Sequence, residues 1–303
     1  VIAAVSGARA LARAPFVVLG AVRRREGVAR VAAEEARTLL ATVVAGVALT
    51  VPLYALLRTT AAWWVLAWAL FAMVTLAAQG VFPFMLRVVV GPVAPADRAL
   101  SAQVGAVAGR AGVDVRRGVL VAGKPGSTRC NAYVVGLGRS RRVVLDRALA
   151  AWPAPMVDQV VAHEIGHWRL RHNLVRLPLT LAVELVTLGI AARLVAWAPL
   201  LHRAGVASAG DPASYPLLLL LTPLLVLPAR IVLSWRDRAQ EREADRFALA
   251  LLGQPGHFSD MLDRAAGEAG APRALPWWSR VIASHPPIDE RAAACALAVG
   301  ATA

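Results

Sequence analysis

Lysine is almost missing from this chain: Lys124 is the only one among 33 basic residues, so its positive charge is carried by arginine. Charge of either sign is scarce, with 17% of the 303 residues charged against 58% hydrophobic and a mean hydropathy of +0.57. A soluble domain of that length seldom carries so little charge, and the apolar residues are gathered into long blocks, which places the chain among membrane proteins. Cysteine is limited to Cys130 and Cys295, without CxxC spacing. That excludes a disulfide framework or a zinc ribbon and reads as two free thiols in a reducing compartment. The formal net charge of +14 contains no basic run interleaved with aromatics, so no nucleic-acid partner is expected. Retention of Arg on the cytoplasmic side of a membrane accounts for it. Internal repeats and low-complexity linkers are absent. The short apolar patch Phe16–Val22 is followed by Arg23-Arg24-Arg25 and not by a small-residue cleavage site, so residues 1–36 read as a basic, partly amphipathic cytoplasmic segment.

Four stretches are long and apolar enough to cross a hydrocarbon core of about 20 helical residues. Leu39–Leu57 and Trp63–Leu86 carry no charge, and Trp63, Trp64 and Trp68 sit where an interfacial aromatic belt would be. Leu177–Leu201 contains Glu184 and Arg193; Tyr215–Trp235 contains Arg230 and the prolines Pro216, Pro223 and Pro228, which predict a kink. Ionisable groups within a span are costly in lipid, so these three should face the bundle interior or a wet cavity. The links around Arg58 and over 202–214 are weakly charged, while 1–38, 87–176 and everything after Arg236 are rich in Arg. The distribution predicts both termini and the large 87–176 segment on the cytoplasmic side. The expected organisation is a basic segment over 1–36, a transmembrane hairpin over 37–90, and a catalytic region over 91–303 containing spans at about 177–201 and 215–235.

Within 87–176, Leu100–Gly112 has helical spacing, and 118–122, 132–135 and 142–145 read as short strands separated by Gly-containing turns. A helix then starts near Ala154 and runs on towards the third span. It carries His163-Glu164-Ile165-Gly166-His167. Residues four apart on a helix lie nearly one above the other, so His163 and His167 can present two imidazoles to one ion, with Glu164 beside a water on it. Zinc takes such nitrogens and keeps an open position in hydrolytic sites; Glu164 would act as the general base.

A third ligand is needed. His172, about 140° round a continuous helix from His167, would face elsewhere, and Glu184 would lie about 25 Å away. Glu241 and Glu243 follow the fourth span in a helical run, on opposite sides of it. Glu241 pairs at i+4 with Asp245, which can hold the free ring N–H of a ligand histidine, and this favours Glu241. Glu243 is then expected on a solvated face with Arg242 and Arg246.

These segments resemble the membrane zinc metalloproteases that include the type I CAAX prenyl endopeptidase and the bacterial stress protease HtpX. The resemblance rests, in order, on Asn131-Ala132-Tyr133 with Arg142-Val143-Val144-Leu145, on HEIGHWRLRH at 163–172, on Glu241-Arg242-Glu243-Ala244-Asp245, and on Ser284-His285-Pro286-Pro287 with Arg291. It extends over about residues 95–295, and Trp168 with His172 favours the CAAX-protease branch. Added to the four spans and short strands read above, it implies a mainly α, polytopic membrane protein of about four transmembrane helices with a small cytoplasmic α+β element of zincin-like (gluzincin) type. It also implies one zinc ion on His163, His167 and Glu241, Glu164 as base and Asp245 behind a ligand. Asn131, Ala132 and Tyr133 would pair with the substrate backbone, the alternative for Asn131 being a turn residue at a strand start. His285 would donate a hydrogen bond in catalysis, or merely end a loop. The implied partners are a polypeptide substrate and the lipid bilayer.

The Arg-rich composition points to a high-GC bacterium, hence a multi-pass plasma-membrane protein with its active site facing the cytoplasm. A prenylated substrate is not carried over. A β-lactam-receptor-like sensor would need an extracellular domain for which the outward links are too short, and a silent zinc scaffold predicts loss of Glu164, which is present.

Overall fold

The computed structural model describes residues 28–90, 92–115, 118–123, 130–135, 142–269 and 272–300. Most of the expected 1–36 segment therefore lies outside the described residues. The fold is mostly helical. Two long helices come first, α1 (Val28–Thr59) and α2 (Trp63–Val90), followed by strand β1 (Val93–Pro95), α3 (Arg98–Arg110), and strands β2 (Val119–Ala122), β3 (Ala132–Val135) and β4 (Arg142–Asp146). Then come α4 (Arg147–Ala150), α5 (Ala154–Arg169), α6 (His172–Val195), α7 (Ala198–Arg203), α8 (Ser214–Leu252), α9 (Pro255–Ala269), α10 (Trp277–Ile282) and α11 (Ile288–Gly300). The chain divides into two units, one of Val1–Phe71 with Val183–Leu227 and one of Ala72–Ala182 with Pro228–Ala303.

In the first unit, Leu57, Trp63, Ala67, Ala191, Val195 and Leu218 form a buried cluster. Outside it the helices keep apolar side chains in the open: Leu40, Val43 and Val47 on α1, Leu66 on α2, Val186 and Ile190 on α6. On α8, Leu220 and Leu224 are 76% and 69% exposed. Among the described residues, α6 and α8 are the two helices long and apolar enough to cross a membrane. The third apolar stretch is shorter than its composition predicts, because α6 stops at Val195 and a separate short helix begins at Ala198. Pro199 cannot donate an N–H to the carbonyl of Val195, yet it suits the first turn of a new helix. Glu184 Oε2 is buried without a hydrogen-bond partner among the described residues.

The second unit holds a four-stranded sheet in the order β1-β2-β4-β3. β2 and β4 are parallel, and β1 and β3 flank them antiparallel; β1 has no counterpart in the expected strand set. Side chains alternate across the sheet, as a period of two requires. Val119, Ala132, Val143 and Leu145 enter the main core with Val157, Val161, Ala162 and Ile165 of α5, whereas Ala122, Val135 and Val144 form a small cluster on the other face. The apolar stripe of α5 thus faces the core, and His163, Glu164 and His167 lie off that stripe. Both cysteines are free. The Cys130 thiol donates to Glu268 Oε2, and burial together with that carboxylate pushes its pKa up to about 12.

Two local features set the position of α5. Gly166 lies against α8, where an added Cβ would stand 3.1 Å from Phe247 Cδ1 and 3.3 Å from the Ala244 Cα. The helix also does not run on into the next one: it ends at Arg169, and Arg171 adopts a left-handed φ of 57° before α6 starts at His172. A Gly166→Ala substitution should therefore lower stability by on the order of 1–3 kcal/mol, since the Phe247 ring can shift but the Ala244 backbone cannot without displacing α8. Gly189→Ala, whose Cβ would meet nothing nearer than the Trp64 ring at 3.6 Å, should be neutral or slightly stabilising. Thermal melts of the two variants check this, and equal midpoints would refute the packing argument.

Candidate metal centre

The centre is built from four pieces of the second unit: α5, the start of α6, the second half of α8, and the segment leading into α11. The Nε2 atoms of His163 and His167 face each other at 3.1 Å. Glu241 brings Oε2 to 3.4 Å from His163 Nε2 and Oε1 to 3.3 Å from His167 Nε2. Zinc held at about 2.0–2.1 Å by tetrahedral ligands separates them by about 3.3–3.4 Å, so these spacings suit it. His163, His167 and Glu241 are the metal-competent cluster among the described residues.

The backs of the two rings show which nitrogens are free. His163 Nδ1 lies 2.9 Å from Asp245 Oδ1, a charge contact without the alignment of a full hydrogen bond. Asp245 is gripped by Arg291, with Nε donating to Oδ2 at 2.8 Å and Nη2 to Oδ1 at 2.6 Å. The Nδ1 of His167 lies 2.9 Å from His172 Nδ1, whose Nε2 lies 3.0 Å from Glu243 Oε2. An ionised carboxylate only accepts, so both backings favour a proton on Nδ1 of the ring and leave the lone pair on Nε2. Two lone pairs then point at each other beside the buried Glu241 Oε2, which has no aligned hydrogen bond. Such an arrangement calls for a cation. Burial opposes a charged His163 ring, but Asp245 and Glu241 prevail and hold its pKa at about 9. Without a metal, a proton serves as that cation. Two imidazoles and one carboxylate are a donor set that fits a divalent zinc-like ion.

Glu164 stands on the same helix, partly open to solvent. Burial pushes its carboxyl above the usual range, while His163 and His167 pull it down. His285 is 66% exposed and brings Nδ1 to 2.9 Å from Glu241 Oε2. That contact raises the ring's pKa. Asn131 closes on its own strand start: its Oδ1 accepts from Ala132 N at 2.9 Å and its Nδ2 donates to Tyr133 Oη at 3.0 Å. Ala132 is buried, and Tyr133 is partly so. β3 is an outer strand of the sheet and packs beside α5.

Two expectations are corrected. His172 does not face away from His167, because the left-handed Arg171 breaks the helix and turns the ring back onto it. Glu243 does not belong to a solvated face; it meets His172, and Arg236 Nη1 lies 3.6 Å from its other oxygen. Only the identity of His172 and its closeness to HEIGH could have signalled this, since Arg171 is not a residue type that announces a left-handed turn. The grip of Arg291 on Asp245 was equally invisible as a role, although Arg291 belongs to the pattern.

Residues 95–297 match peptidase family M48; the chain belongs to this family of metal-dependent peptidases. Among curated proteins it is 26% identical over 183 residues to a CAAX prenyl protease 1 homolog of Oryza sativa subsp. japonica, covering 58% of this chain and 42% of that protein. It is also 26% identical over 226 residues to a protease HtpX homolog of Herminiimonas arsenicoxydans, covering 69% of this chain and 74% of that protein. The crystal structure of S. mikatae Ste24p has the same fold, with a TM-score of 0.69 at 21% identity over 86% of this chain and 64% of that one. The chain thus spans less than half of the rice protein's length.

Removing the guanidinium that grips Asp245 should be costly. Arg291→Met leaves that carboxylate buried with only His163 for company and should cost on the order of 3 kcal/mol. Chemical denaturation compared with wild type checks this, and an unchanged midpoint would show that the pair adds nothing to stability.

Proposed function

We propose that the protein is a zinc-dependent endopeptidase of the bacterial plasma membrane that hydrolyses peptide bonds in membrane-associated or misfolded proteins at the cytoplasmic face. The convergence of His163, His167 and Glu241, with Glu164 alongside on the same helix, carries the proposal. When bound, zinc supplies a Lewis acid that makes water nucleophilic near neutral pH and polarises a carbonyl. His163, His167 and Glu241 hold it. Glu164 takes the proton from the attacking water and hands it to the leaving amine. His285 has Nδ1 against Glu241, which favours the doubly protonated ring; in that form Nε2–H donates a hydrogen bond to the substrate carbonyl oxygen as charge develops there. The outer edge of β3 beside α5 lets an extended polypeptide add as a further strand, beginning at Asn131, Ala132 and Tyr133.

The exposed apolar side chains of α1, α2, α6 and α8 support four membrane spans. They form a hairpin over 37–90 and two further spans within the 91–303 catalytic region, with both termini inside. Alkaline phosphatase fused after residue 60 or 208 should be active, and after residue 150 inactive; the reverse pattern would sink the topology.

The catalytic proposal is tested on the full chain in detergent, by measuring bound zinc and casein cleavage. Wild type should hold about one zinc per chain. Glu164→Gln should keep it while losing roughly 10²–10⁴ in rate, and Glu241→Ala should lose the metal. Zinc retained without any Glu164-dependent cleavage would leave a non-catalytic metal protein.

A further inference from the structure

His163 and His167 are held from behind in different ways. Behind His163 stands a carboxylate, Asp245; behind His167 stands another imidazole. His172 is 2% exposed, and both of its ring nitrogens are engaged in aligned contacts, with His167 Nδ1 at 2.9 Å and Glu243 Oε2 at 3.0 Å. Its ring lies edge-on to that of His167, with centroids 4.9 Å apart. Its backbone carbonyl accepts from the buried Gln240 Nε2 at 3.0 Å, which ties the start of α6 to α8. The left-handed turn at Arg171 that swings His172 into place is disfavoured for a residue with a Cβ. The backbone thus bears strain at the point where this contact is made.

Proton counting gives the contact a direction. Glu243 can only accept, so His172 Nε2 carries a proton and donates it. His172 Nδ1 is then the acceptor, and His167 Nδ1–H donates to it. His167 Nε2 is thereby left as a lone pair facing His163 Nε2. If the Glu243 end were lost, His172 could carry its proton on Nδ1 instead, and the His167 proton would move to Nε2, the atom that faces the metal position.

We infer that His172 and Glu243 are positioning residues that fix the orientation and tautomer of His167 for metal binding, Glu243 acting through His172. This rests on the zinc reading above and adds to it a second, longer support that matches the Asp245 support of His163.

The test is zinc affinity, measured by chelator competition on the full chain in detergent, with circular dichroism and metal-free melting to confirm folding. His172→Leu and Glu243→Leu should bind zinc about 10–100-fold more weakly. His172→Asn keeps an acceptor at the Nδ1 position and Glu243→Gln keeps one for Nε2–H, so both should stay within a few-fold of wild type. Should His172→Leu fail to fold, the Asn variant and the Glu243 pair decide. Leucine variants as tight as wild type would overturn the inference. Asparagine and glutamine variants as weak as the leucine ones would overturn it too, by showing that shape and not the hydrogen bond matters. Wild type that binds no zinc would instead bring down the underlying metal reading, and is distinguished by being seen before any variant is made.

Discussion

Everything at the centre depends on how closely α5 and α8 approach each other. Glu241 reaches the two histidines only because Gly166 has no side chain where Ala244 and Phe247 press against it. The contact sits between His163 and His167 on one helix and between Glu241 and Asp245 on the other. A single missing Cβ therefore sets the spacing for the candidate ligands and for the carboxylate behind them. Beneath it, Ile165, Val161 and Val157 lock α5 to the sheet through a core without exposed members. The centre thus inherits the rigidity of a packed interior instead of relying on a loop.

The second constraint is electrostatic. His163, Asp245, Glu241 and His172 are all buried, and burying charge is unfavourable unless each group is paired. The structure answers with two chains of partners, Arg291–Asp245–His163 and Arg236–Glu243–His172–His167. Both run from an arginine at the outer end to an imidazole lone pair at the inner one. They converge on Glu241, and this surplus of acceptors suits the site to a cation. The raised carboxyl of Glu164 belongs to the same setting, since partial removal from water disfavours the charged form more than the two nearby imidazoles restore it.

Much of this was legible beforehand, for identifiable reasons. Spacing of four on a helix brings His163 and His167 together whatever the rest of the chain does, and short Val-rich runs at 132–135 and 142–145, set off by Gly-containing turns, mark strands for equally local reasons. Strand β1 has three residues, too few for a periodic signal, and shows itself only by pairing with β2. Composition carries the third apolar stretch on to Leu201 because it does not register that Pro199 withholds an N–H.

The sequence by itself determined what chemistry is available and roughly where: one HEIGH helix, acidic partners just beyond an apolar run, and charge distributed as in a membrane protein. These follow from short-range periodicity and from residue type, which need no knowledge of what packs on what. Only the tertiary structure decided that Asp245 backs His163 in particular, and that His172 with Glu243 stands behind His167. That outcome turns on one backbone angle at Arg171, which reverses the direction of His172 and draws Glu243 inward with it. A left-handed turn at a non-glycine residue has no local signature. It is held in place by the Gln240 contact to His172, 68 positions away in the chain.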